Sequence, residues 1–398
     1  MGGKPVVGSD ELAGGLPAGD LAAGKRLSGE LATVAMRSPM PHTEVVTAIE
    51  RASRRALAAY LSPKKAKNAH VEPLLGGLIN LTFAVESDDR ALILQRLSPI
   101  FSPTIHDNIV AVSEQLRRRG EQSPVLLISA ERRPFVDLHD AGIWRLMTRL
   151  PGTTFNSLRG PQGPARARSA GALIARFHDA LADLKHTFKG LRSGVHDTAA
   201  HLAKLEQALV LGQQSGHRLL PEVTALSASI RNAAASLPIL DREPSGVVHG
   251  DLKISNVLFE GSRASALIDL DTVARMPLWM ELGDAWRSWC NPGGEDQSAA
   301  HFDLQVFAAS VEGYLGTLRA PLSAVLRRSL VHGVEWIALE LAARFAADAI
   351  TEDYFGWDRT RFAAAGEHNL LRARGQWALF QATLDTREAR ETLLLGSS

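Results

Sequence analysis

The feature that most constrains the fold is a polar segment held between two short apolar runs, VVHGDLKISNVLF at residues 247–259. A second stretch, ALIDLDT at 266–272, follows after the turn-forming residues 260–263, EGSR. Apolar runs of this length around a short Gly-containing segment predict a β-hairpin. On either side of it, beyond Pro151, apolar residues recur at helical spacing. The sequence therefore predicts a single hairpin with a polar loop inside a helical half.

The preceding half has a different pattern. Short apolar runs at residues 72–77, 81–87, 90–97, 124–129 and 142–150 predict strands, and residues 41–60 and 105–120 have helical periodicity. We therefore predict a small β-rich lobe over residues 41–146 and a larger helical lobe over residues 147–398. Residues 1–40 are rich in Gly and Ala without a sustained period, which favours a disordered extension.

Composition excludes several classes of protein. A chain of 398 residues exceeds one ordinary core, and its net charge of +1 offers no field to attract a nucleic acid or an anionic membrane. Cys290 is the only cysteine, which fits a reducing compartment. No apolar run of about 18 residues and no secretory signal pattern occurs. We expect a cytoplasmic monomer or homodimer.

The polar loop contains the residue types that phosphoryl transfer from ATP requires. That reaction needs a carboxylate to orient the acceptor hydroxyl, and an amide and a second carboxylate to hold Mg²⁺. Asp251 and Asn256 lie five residues apart in the loop, and Asp269 is predicted on the second hairpin strand. Folding of the hairpin can bring Asn256 and Asp269 to one metal beside Asp251. Lys253 adds a positive charge near the transferred group.

The motif H-G-D-L-K-x-S-N-V-L-F followed by I-D resembles the catalytic loop of the aminoglycoside phosphotransferase and choline kinase-like superfamily. The resemblance implies an α+β, protein-kinase-like fold of two lobes with ATP and Mg²⁺ between them. It implies that Asp251 is the catalytic base, that Asn256 and Asp269 bind the metal, and that His249 braces the loop. The alternative interpretation is that the His, Asp and Asn residues of this motif are ordinary loop residues, since Asp and Asn favour turns.

A series of fragments narrows the resemblance to the N-acetylhexosamine 1-kinase branch: LLGGLINLTFAV, LILQRL, WRLM, ALIARFH, ALIDLDT, ELGDAWRS and HNLLRARGQ. In that branch Asp271 joins Asp269 at the metal, and a D-x-x-R element corresponds to Asp284 and Arg287. A later segment resembles its sugar-binding face and contains Arg344 and Tyr354. The acceptor implied is a sugar, phosphorylated on its anomeric hydroxyl. The alternative is that Arg344 is an ordinary surface arginine and Tyr354 an ordinary core tyrosine.

Nucleotide contacts are predicted in three segments of the smaller lobe. The turn at Gly76 and Gly77, followed by Asn80, can place backbone N–H groups over the phosphates, although a plain hairpin turn has the same composition. No lysine is available on the strand at 90–97, and Arg96 is the candidate replacement, with a solvated strand face as the alternative. The adenine-binding hinge is predicted at Met147, Thr148 and Arg149.

Two other functions stay open. One is a kinase of a different hydroxyl compound, such as an aminoglycoside, a macrolide, choline or homoserine, because function belongs to the site rather than the fold. A dense acidic pocket would favour a cationic drug, and no such cluster follows Asp284. The other is a pseudokinase that only binds, which the missing strand lysine favours and the intact Asp251, Asn256 and Asp269 disfavour. ATP turnover with a substrate panel separates these functions.

Overall fold

The computed structural model describes residues 42–74, 80–88, 90–191, 194–243 and 245–396. The predicted extension at 1–40 and the predicted phosphate turn at Gly76 and Gly77 lie outside the described residues, so both stay predictions. Within the described part, a small sheet-containing lobe is followed by a larger helical lobe. The predicted α+β, two-lobed architecture is confirmed.

The smaller lobe is built on an antiparallel sheet of order β1-β2-β3-β5-β4. Its elements are α1 (His42–Ala58), α2 (Pro63–Asn68), β1 (His70–Pro73), β2 (Leu81–Ser87), β3 (Arg90–Arg96), α3 (Ile105–Arg118), β4 (Val136–Asp137) and β5 (Ile143–Thr148). The predicted strand at 124–129 forms only an isolated bridge, Leu126 to Met147. Strand β5 continues through Thr148, past the predicted lobe boundary.

The two faces of this sheet have different partners because side chains alternate along each strand. One face is apolar and packs with α1 in a separate core, which includes Phe83, Leu92, Leu94, Trp144 and Leu146. The opposite face presents polar side chains near the larger lobe. Gln95 on β3 and Arg145 on β5 are direct cross-strand partners on that second face.

The larger lobe surrounds the hairpin with helices. Its elements are α4 (Gly163–Leu181), α5 (Thr198–Ser215), α6 (Leu220–Ser236), β6 (Gly246–Val248), β7 (Val257–Glu260), β8 (Arg263–Leu267), β9 (Ala274–Met276), α7 (Leu278–Trp289), α8 (Leu304–Thr317), α9 (Ala324–Thr351), α10 (Ala365–Asp385) and α11 (Arg387–Leu395). Strand β6 pairs with β9, and β7 pairs with β8. In the described part of the chain, no helix has the length and apolarity that crossing a bilayer requires.

Two helices of the larger lobe, α7 and α9, approach each other closely at glycines. A Cβ on Gly283 of α7 would lie 2.7 Å from the Gly333 backbone of α9, and one on Gly333 would lie 2.5 Å from the Trp279 carbonyl oxygen. Such distances leave no room for a side chain at either position. Helix α7, which carries the predicted Asp284 and Arg287, is therefore held against the centre of α9.

Candidate active site

The polar loop joins β6 to a 3₁₀ turn at Ile254–Asn256, which leads directly into β7. Gly250 opens the loop with φ +81°, a conformation that favours glycine. A Cβ at this position would lie 2.5 Å from the Thr272 carbonyl oxygen. Thr272 Oγ1 in turn donates to the His249 carbonyl oxygen at 2.8 Å. The loop and the segment after β8 are thus held face to face.

Glu281 on α7 anchors the start of this loop, and the sequence analysis missed it. Its two carboxylate oxygens accept the backbone N–H groups of His249 and Gly250, at 2.7 and 2.9 Å. Glu281 is fully buried, and a buried carboxylate needs such partners. Glu281 begins the ELGDAWRS fragment, but the fragment by itself does not show what Glu281 contacts, because the loop lies about thirty residues earlier in the chain.

His249 has the loop-bracing position that the resemblance implied. The ring is fully buried; its Nε2 lies 2.8 Å from the Ile268 carbonyl oxygen, and the Asp251 N–H donates to its Nδ1 at 3.3 Å. This pair of contacts assigns a neutral ring with the proton on Nε2. His249 therefore connects the loop to the residue that precedes Asp269, and it positions the site without facing it.

Asp251, Lys253 and Asn256 meet at the tip of the loop. Lys253 Nζ donates to Asp251 Oδ2 at 2.7 Å, and Asn256 Nδ2 donates to the same oxygen at 3.1 Å and to the Asp251 carbonyl oxygen at 2.8 Å. The Asp251 side chain stays 27% exposed, so an acceptor can reach it. Since the Asn256 amide nitrogen is used inside the loop, its Oδ1 is the atom left for a cation.

Lys253 is the cation among the carboxylates of the site. Burial acts to lower its pKa, but three nearby carboxylates outweigh burial and raise the pKa of Lys253 above its ordinary value: Asp251, Asp269 and Asp284. Lys253 therefore stays protonated at neutral pH. The charges of Asp269 and Asp284 thus act on Lys253 from outside the loop.

Asp269 lies just after β8 rather than on it, because that strand ends at Leu267. Its backbone is left-handed, with φ 65° and ψ 57°, and the adjacent Ile268 N–H donates to the Asn256 carbonyl oxygen at 3.0 Å. Among the described residues no hydrogen bond or ion pair engages its carboxylate. Burial, and then the charge of Asp271, raises the pKa of Asp269 to about 6.

The donor set at this point fits a hard divalent cation. The Asp269 carboxylate, which has no partner among the described residues, and the Asn256 amide oxygen belong to segments joined by the Ile268 N–H to Asn256 carbonyl bond. Mg²⁺ takes one or two protein carboxylates together with substrate phosphates. Asn256 and Asp269 are the residues that would hold it. Within the described residues no group of three or more His, Cys, Asp or Glu side chains is arranged as a metal site.

Asp271, the other predicted metal residue, has partners from the smaller lobe. Arg145 Nη1 donates to its Oδ1 at 2.5 Å and Asn80 Nδ2 donates to its Oδ2 at 2.7 Å. Burial acts to raise the pKa of Asp271, but the Arg145 guanidinium lowers it below its ordinary value. Sequence reasoning missed Arg145, because nothing in WRLM distinguishes a buried arginine from a solvated one.

Arg96 lies on the face of the sheet that packs with α1, away from Asp269. Its cross-strand partners are Trp144 and Leu81, which belong to or pack against that apolar core. The guanidinium contacts the turn before β5, where a Cβ on Gly142 would lie 2.9 Å from Arg96 Nε. Arg96 is therefore on the opposite face of the sheet from Gln95 and Arg145, and its contact with the nucleotide phosphates stays a prediction. Alternation along β3 is the reason, since Gln95 takes the opposite face.

The predicted hinge lies at the end of β5, where the chain leaves the sheet. The Thr148 N–H donates to the Val125 carbonyl oxygen at 3.0 Å, and the Arg149 N–H donates to the Ala91 carbonyl oxygen at 3.2 Å. The backbone donors of these two residues are therefore already engaged in the protein. Met147 is partly buried against the core of the larger lobe. The adenine contacts of this segment stay a prediction.

The predicted D-x-x-R element forms a buried ion pair. Arg287 Nε and Nη2 donate to Asp284 Oδ1 at 3.0 and 2.9 Å, and Nη1 lies 2.6 Å from Glu295 Oε1. Burial opposes the charge of Arg287, but the two carboxylates raise its pKa above its ordinary value. Arg287 is thus occupied by protein partners, and the charge of the buried Asp284 is largely balanced.

Arg344 belongs to a polar cluster around Glu340 on α9. The buried Glu340 carboxylate accepts from Thr198 Oγ1 at 2.7 Å and lies 3.1 Å from His196 Nδ1 and 3.8 Å from Arg344 Nη1. Burial acts to lower the pKa of His196, but Glu340 raises it above its ordinary value. The Arg344 guanidinium and the His196 ring therefore both lie against one carboxylate.

Tyr354 lies beside this cluster and is 52% exposed. The Arg344 guanidinium carbon is 5.9 Å from the centre of the Tyr354 ring and 5.7 Å from that of Phe355. A cavity of about 350 Å³ is lined by residues that include His196, Gly250 of the polar loop and Thr272 of the segment after β8. His196 lies outside every motif quoted above, and Glu340, although it is only four residues before Arg344, was assigned no role from the sequence.

Two curated homoserine kinases resemble part of the chain. The protein from Neisseria meningitidis serogroup B (strain ATCC BAA-335 / MC58) is 29% identical over 154 residues, which cover 39% of this chain and 44% of that protein. The protein from Methylocella silvestris is 31% identical over 175 residues, which cover 42% of this chain and 51% of that protein. The chain spans about half the length of these curated relatives.

Solved structures share the fold at low sequence identity. An amicoumacin kinase in complex with AMP-PNP, Ca²⁺ and Ami superposes with a TM-score of 0.55 at 15% identity, covering 84% of this chain and 95% of that one. The microcompartment-associated aminopropanol kinase has a TM-score of 0.53 at 18% identity, covering 84% and 97%. These likenesses confirm the kinase-like, two-lobed fold.

The resemblance of the polar loop to the aminoglycoside phosphotransferase and choline kinase-like superfamily is also confirmed. The model of the phosphotransferase enzyme family matches residues 70–314, more than half of the chain. That region contains the sheet of the smaller lobe, the catalytic loop and Asp269. The N-acetylhexosamine 1-kinase branch receives no such support and stays a proposal. The chain therefore belongs to the phosphotransferase enzyme family.

Proposed function

We propose that this protein is an ATP- and Mg²⁺-dependent kinase that transfers the γ-phosphoryl group to a hydroxyl of a small molecule. The observation that carries the proposal is the loop tip, where Asp251 contacts Lys253 and Asn256 while the Asp269 carboxylate has no partner among the described residues. The amicoumacin kinase that shares the fold was solved with AMP-PNP and Ca²⁺, which supports a nucleotide and a divalent cation here.

In the proposed reaction Asp251 orients the acceptor hydroxyl and receives its proton as the oxygen attacks the γ-phosphorus and ADP leaves. Lys253 sits beside Asp251, where its ammonium offsets charge on the transferred group. Asn256 and Asp269 would hold Mg²⁺, which supplies positive charge to the nucleotide phosphates when bound. The presence of these four side chains argues against a pseudokinase that only binds.

We propose a sugar as the acceptor, most specifically the anomeric hydroxyl of an N-acetylhexosamine. Two carboxylates of the larger lobe have basic partners: Asp284 pairs with Arg287, and Glu340 lies against Arg344 and His196. Such a surface suits a neutral ligand rich in hydroxyls better than a polycationic drug. The exposed ring of Tyr354 offers a flat apolar surface for a sugar ring.

Homoserine is the second candidate, favoured by the two partly matching homoserine kinases. A zwitterionic amino alcohol needs one cation for its carboxylate and one carboxylate for its ammonium group. Arg344 and Glu340 provide that pair in the same cluster. The balanced charge that suits a neutral sugar also suits a zwitterion, so the acceptor has to be tested directly.

The deciding experiment measures Mg²⁺-dependent ADP release with a panel of sugars, amino sugars, aminoglycosides, choline and homoserine. A sugar kinase gives turnover with N-acetylhexosamines, and nuclear magnetic resonance then assigns the phosphate to the anomeric carbon. Turnover with homoserine alone would transfer the assignment to the second candidate. An absence of turnover with every acceptor, together with an absence of Mg²⁺–nucleotide binding, would refute the kinase function itself.

A further inference from the structure

Asp271 is held from the smaller lobe by two side chains that begin on different segments. Arg145 on β5 and Asn80 before β2 donate to its two oxygens. The Asn80 side-chain oxygen accepts the Ser98 N–H at 2.9 Å, so Asn80 is itself fixed. The side chains of Arg145 and Asp271 are each only 2% exposed. This is a dry, fully partnered contact between the lobes.

The Arg145 side chain is fixed by its neighbour in the sheet. Gln95 Oε1 accepts from Arg145 Nε and Nη2, at 2.9 and 2.7 Å, and Gln95 Nε2 donates to Thr82 Oγ1 at 3.0 Å. The guanidinium therefore has one orientation, with Nη1 directed at Asp271. His106 contributes no competing charge, since burial, and then Arg145, lowers the pKa of His106 to about 4.

We propose that Asp271 is an anchor between the lobes and not a metal ligand, and that Arg145 is a positioning residue that holds Asp269 through it. Asp269 is two residues before Asp271, and the two residues flank Leu270 in a tight 3₁₀ turn. The left-handed backbone of Asp269 is unusual for a residue other than glycine and persists only where its surroundings impose it. The anchor at Asp271 provides that constraint.

Charge and burial support an anchor over a ligand. Each Asp271 oxygen already has a donor, whereas the Asp269 carboxylate has none among the described residues. A buried ion pair is weak support for stability, because removing two charges from water offsets much of their attraction. Its better-attested use is to specify one arrangement of the elements that carry it. The arrangement specified here is the smaller lobe against the turn that carries Asp269.

This inference rests on the proposed Mg²⁺–nucleotide site and is tested by binding, without an acceptor. The variants are Arg145→Gln, Asp271→Asn, the two combined, and Arg145→Lys. The measured quantity is the Mg²⁺ concentration that gives half-maximal binding of AMP-PNP in calorimetry. Glu335→Gln is the matched control, because it breaks an equally buried ion pair remote from the site, between α9 and α11.

An anchor predicts that Arg145→Gln and Asp271→Asn each raise the required Mg²⁺ concentration about tenfold or more. The combined variant is expected to be no worse than the poorer single variant, because the two residues act as one unit. Arg145→Lys should recover part of the loss, since a lysine keeps the charge but lacks the fork that also contacts Gln95. Glu335→Gln should leave the Mg²⁺ requirement unchanged.

A different pattern would overturn the anchor. If Asp271 were a ligand, Asp271→Asn alone would raise the Mg²⁺ requirement, whereas Arg145→Gln would free a carboxylate and lower or preserve it. Unchanged Mg²⁺ dependence in both single variants would likewise reject the positioning role. If a single variant fails to fold, the combined variant, which buries no unpaired charge, carries the test. Failure of the wild type to bind Mg²⁺–AMP-PNP would instead refute the proposed function, and the anchor with it.

Discussion

At the scale of single residues, the three aspartates near the catalytic loop differ in their partners rather than in their chemistry. Asp251 is partly exposed beside Lys253, Asp269 has no partner among the described residues, and Asp271 is enclosed by Arg145 and Asn80. Environments of this kind assign different protonation and different roles to the same side chain. We expect substitutions of the three residues to have distinct kinetic signatures.

Replacing Asp251 should slow chemistry and spare nucleotide binding. A positioned base contributes about 10²–10⁴ in rate, so Asp251→Asn is expected to lower kcat by about that factor while Mg²⁺–ATP still binds. Steady-state kinetics with the accepted substrate and calorimetry with nucleotide check the two parts. Asp183→Asn, which alters a surface carboxylate paired with Arg119, is the control. Near-normal turnover by Asp251→Asn would exclude this loop as the catalytic one.

Replacing Asn256 or Asp269 should act on the metal. Asn256→Ala and Asp269→Asn are each expected to weaken or abolish Mg²⁺-dependent activity with the fold intact, because each removes an oxygen ligand. Nucleotide binding titrated with Mg²⁺, alongside a circular dichroism spectrum, measures the two effects separately. Unchanged Mg²⁺ dependence in both variants would place the metal elsewhere.

Replacing Arg96 should have little effect on the nucleotide. Its side chain lies on the α1 face of the sheet with Leu81 and Trp144, so Arg96→Ala is expected to leave the KM for ATP within about twofold of the wild type. The sequence alone predicted the opposite. A rise of tenfold or more in that KM would instead indicate that Arg96 contacts the nucleotide phosphates. Such a contact would require the Arg96 side chain to lie on the other face of the sheet.

At the scale of elements, close backbone contacts decide how the helices of the larger lobe pack. A Cβ on Gly313 of α8 would lie 2.0 Å from the Arg168 carbonyl oxygen of α4, and one on Gly171 of α4 would lie 2.1 Å from the Ser310 carbonyl oxygen of α8. Backbone cannot move as a flexible side chain can. These glycines set the distance between α4, which packs on β8, and α8.

Gly313→Ala should therefore destabilise the protein, by about 1–3 kcal/mol in the free energy of unfolding, as overpacking of a filled interface does. Gly316 on the same helix is the matched control, because nothing lies within 4 Å of a Cβ there. Gly316→Ala is expected to stabilise by about 0.5–1 kcal/mol through helix propensity. Urea unfolding of the two variants measures the difference. Equal changes in the free energy of unfolding of the two variants would show that α4 and α8 can move apart without loss of stability.

At the scale of the whole molecule, the last helix is tied to the core by a buried ionic cluster. Glu335 on α9 is fully buried and pairs with Arg390 and Arg387 of α11 and with His332. Burial acts to raise the pKa of Glu335, but these partners outweigh it and lower the pKa to about 2. The carboxylate is thus ionised in the folded protein at every ordinary pH.

The depressed pKa predicts an acid-sensitive contribution to stability. Glutamate in an unfolded chain has a pKa of about 4.3, so the contribution is complete above that pH and is lost as the pH falls toward about 2. Glu335→Gln should cost about 3–5 kcal/mol at neutral pH, because it leaves Arg390 buried without its charged partner, and should flatten this pH dependence. Unfolding free energies between pH 7 and 2.5 measure it. An identical pH dependence in variant and wild type would contradict the assignment.

Local patterns were sufficient to predict much of this protein. Strand β2 at 81–87, β3 at 90–96 and the helix at 105–118 follow the predicted runs, because alternation and helical periodicity record which face is buried. The loop with Asp251, Lys253 and Asn256 was predictable for a related reason: its members are within six residues, so the chain itself brings them together. Family membership followed from that one segment.

Contacts between distant segments were decided only by the tertiary structure. Glu281, Arg145 and the Glu340 cluster reach the site from positions that no local spacing connects to it. The end of β8 at Leu267 and the face of the sheet on which Arg96 lies were likewise decided only by strand pairing, because a shift of one residue along a strand reverses the direction of every side chain. Sequence periodicity records burial along one element, whereas the partners of a buried charge depend on how separate elements pack.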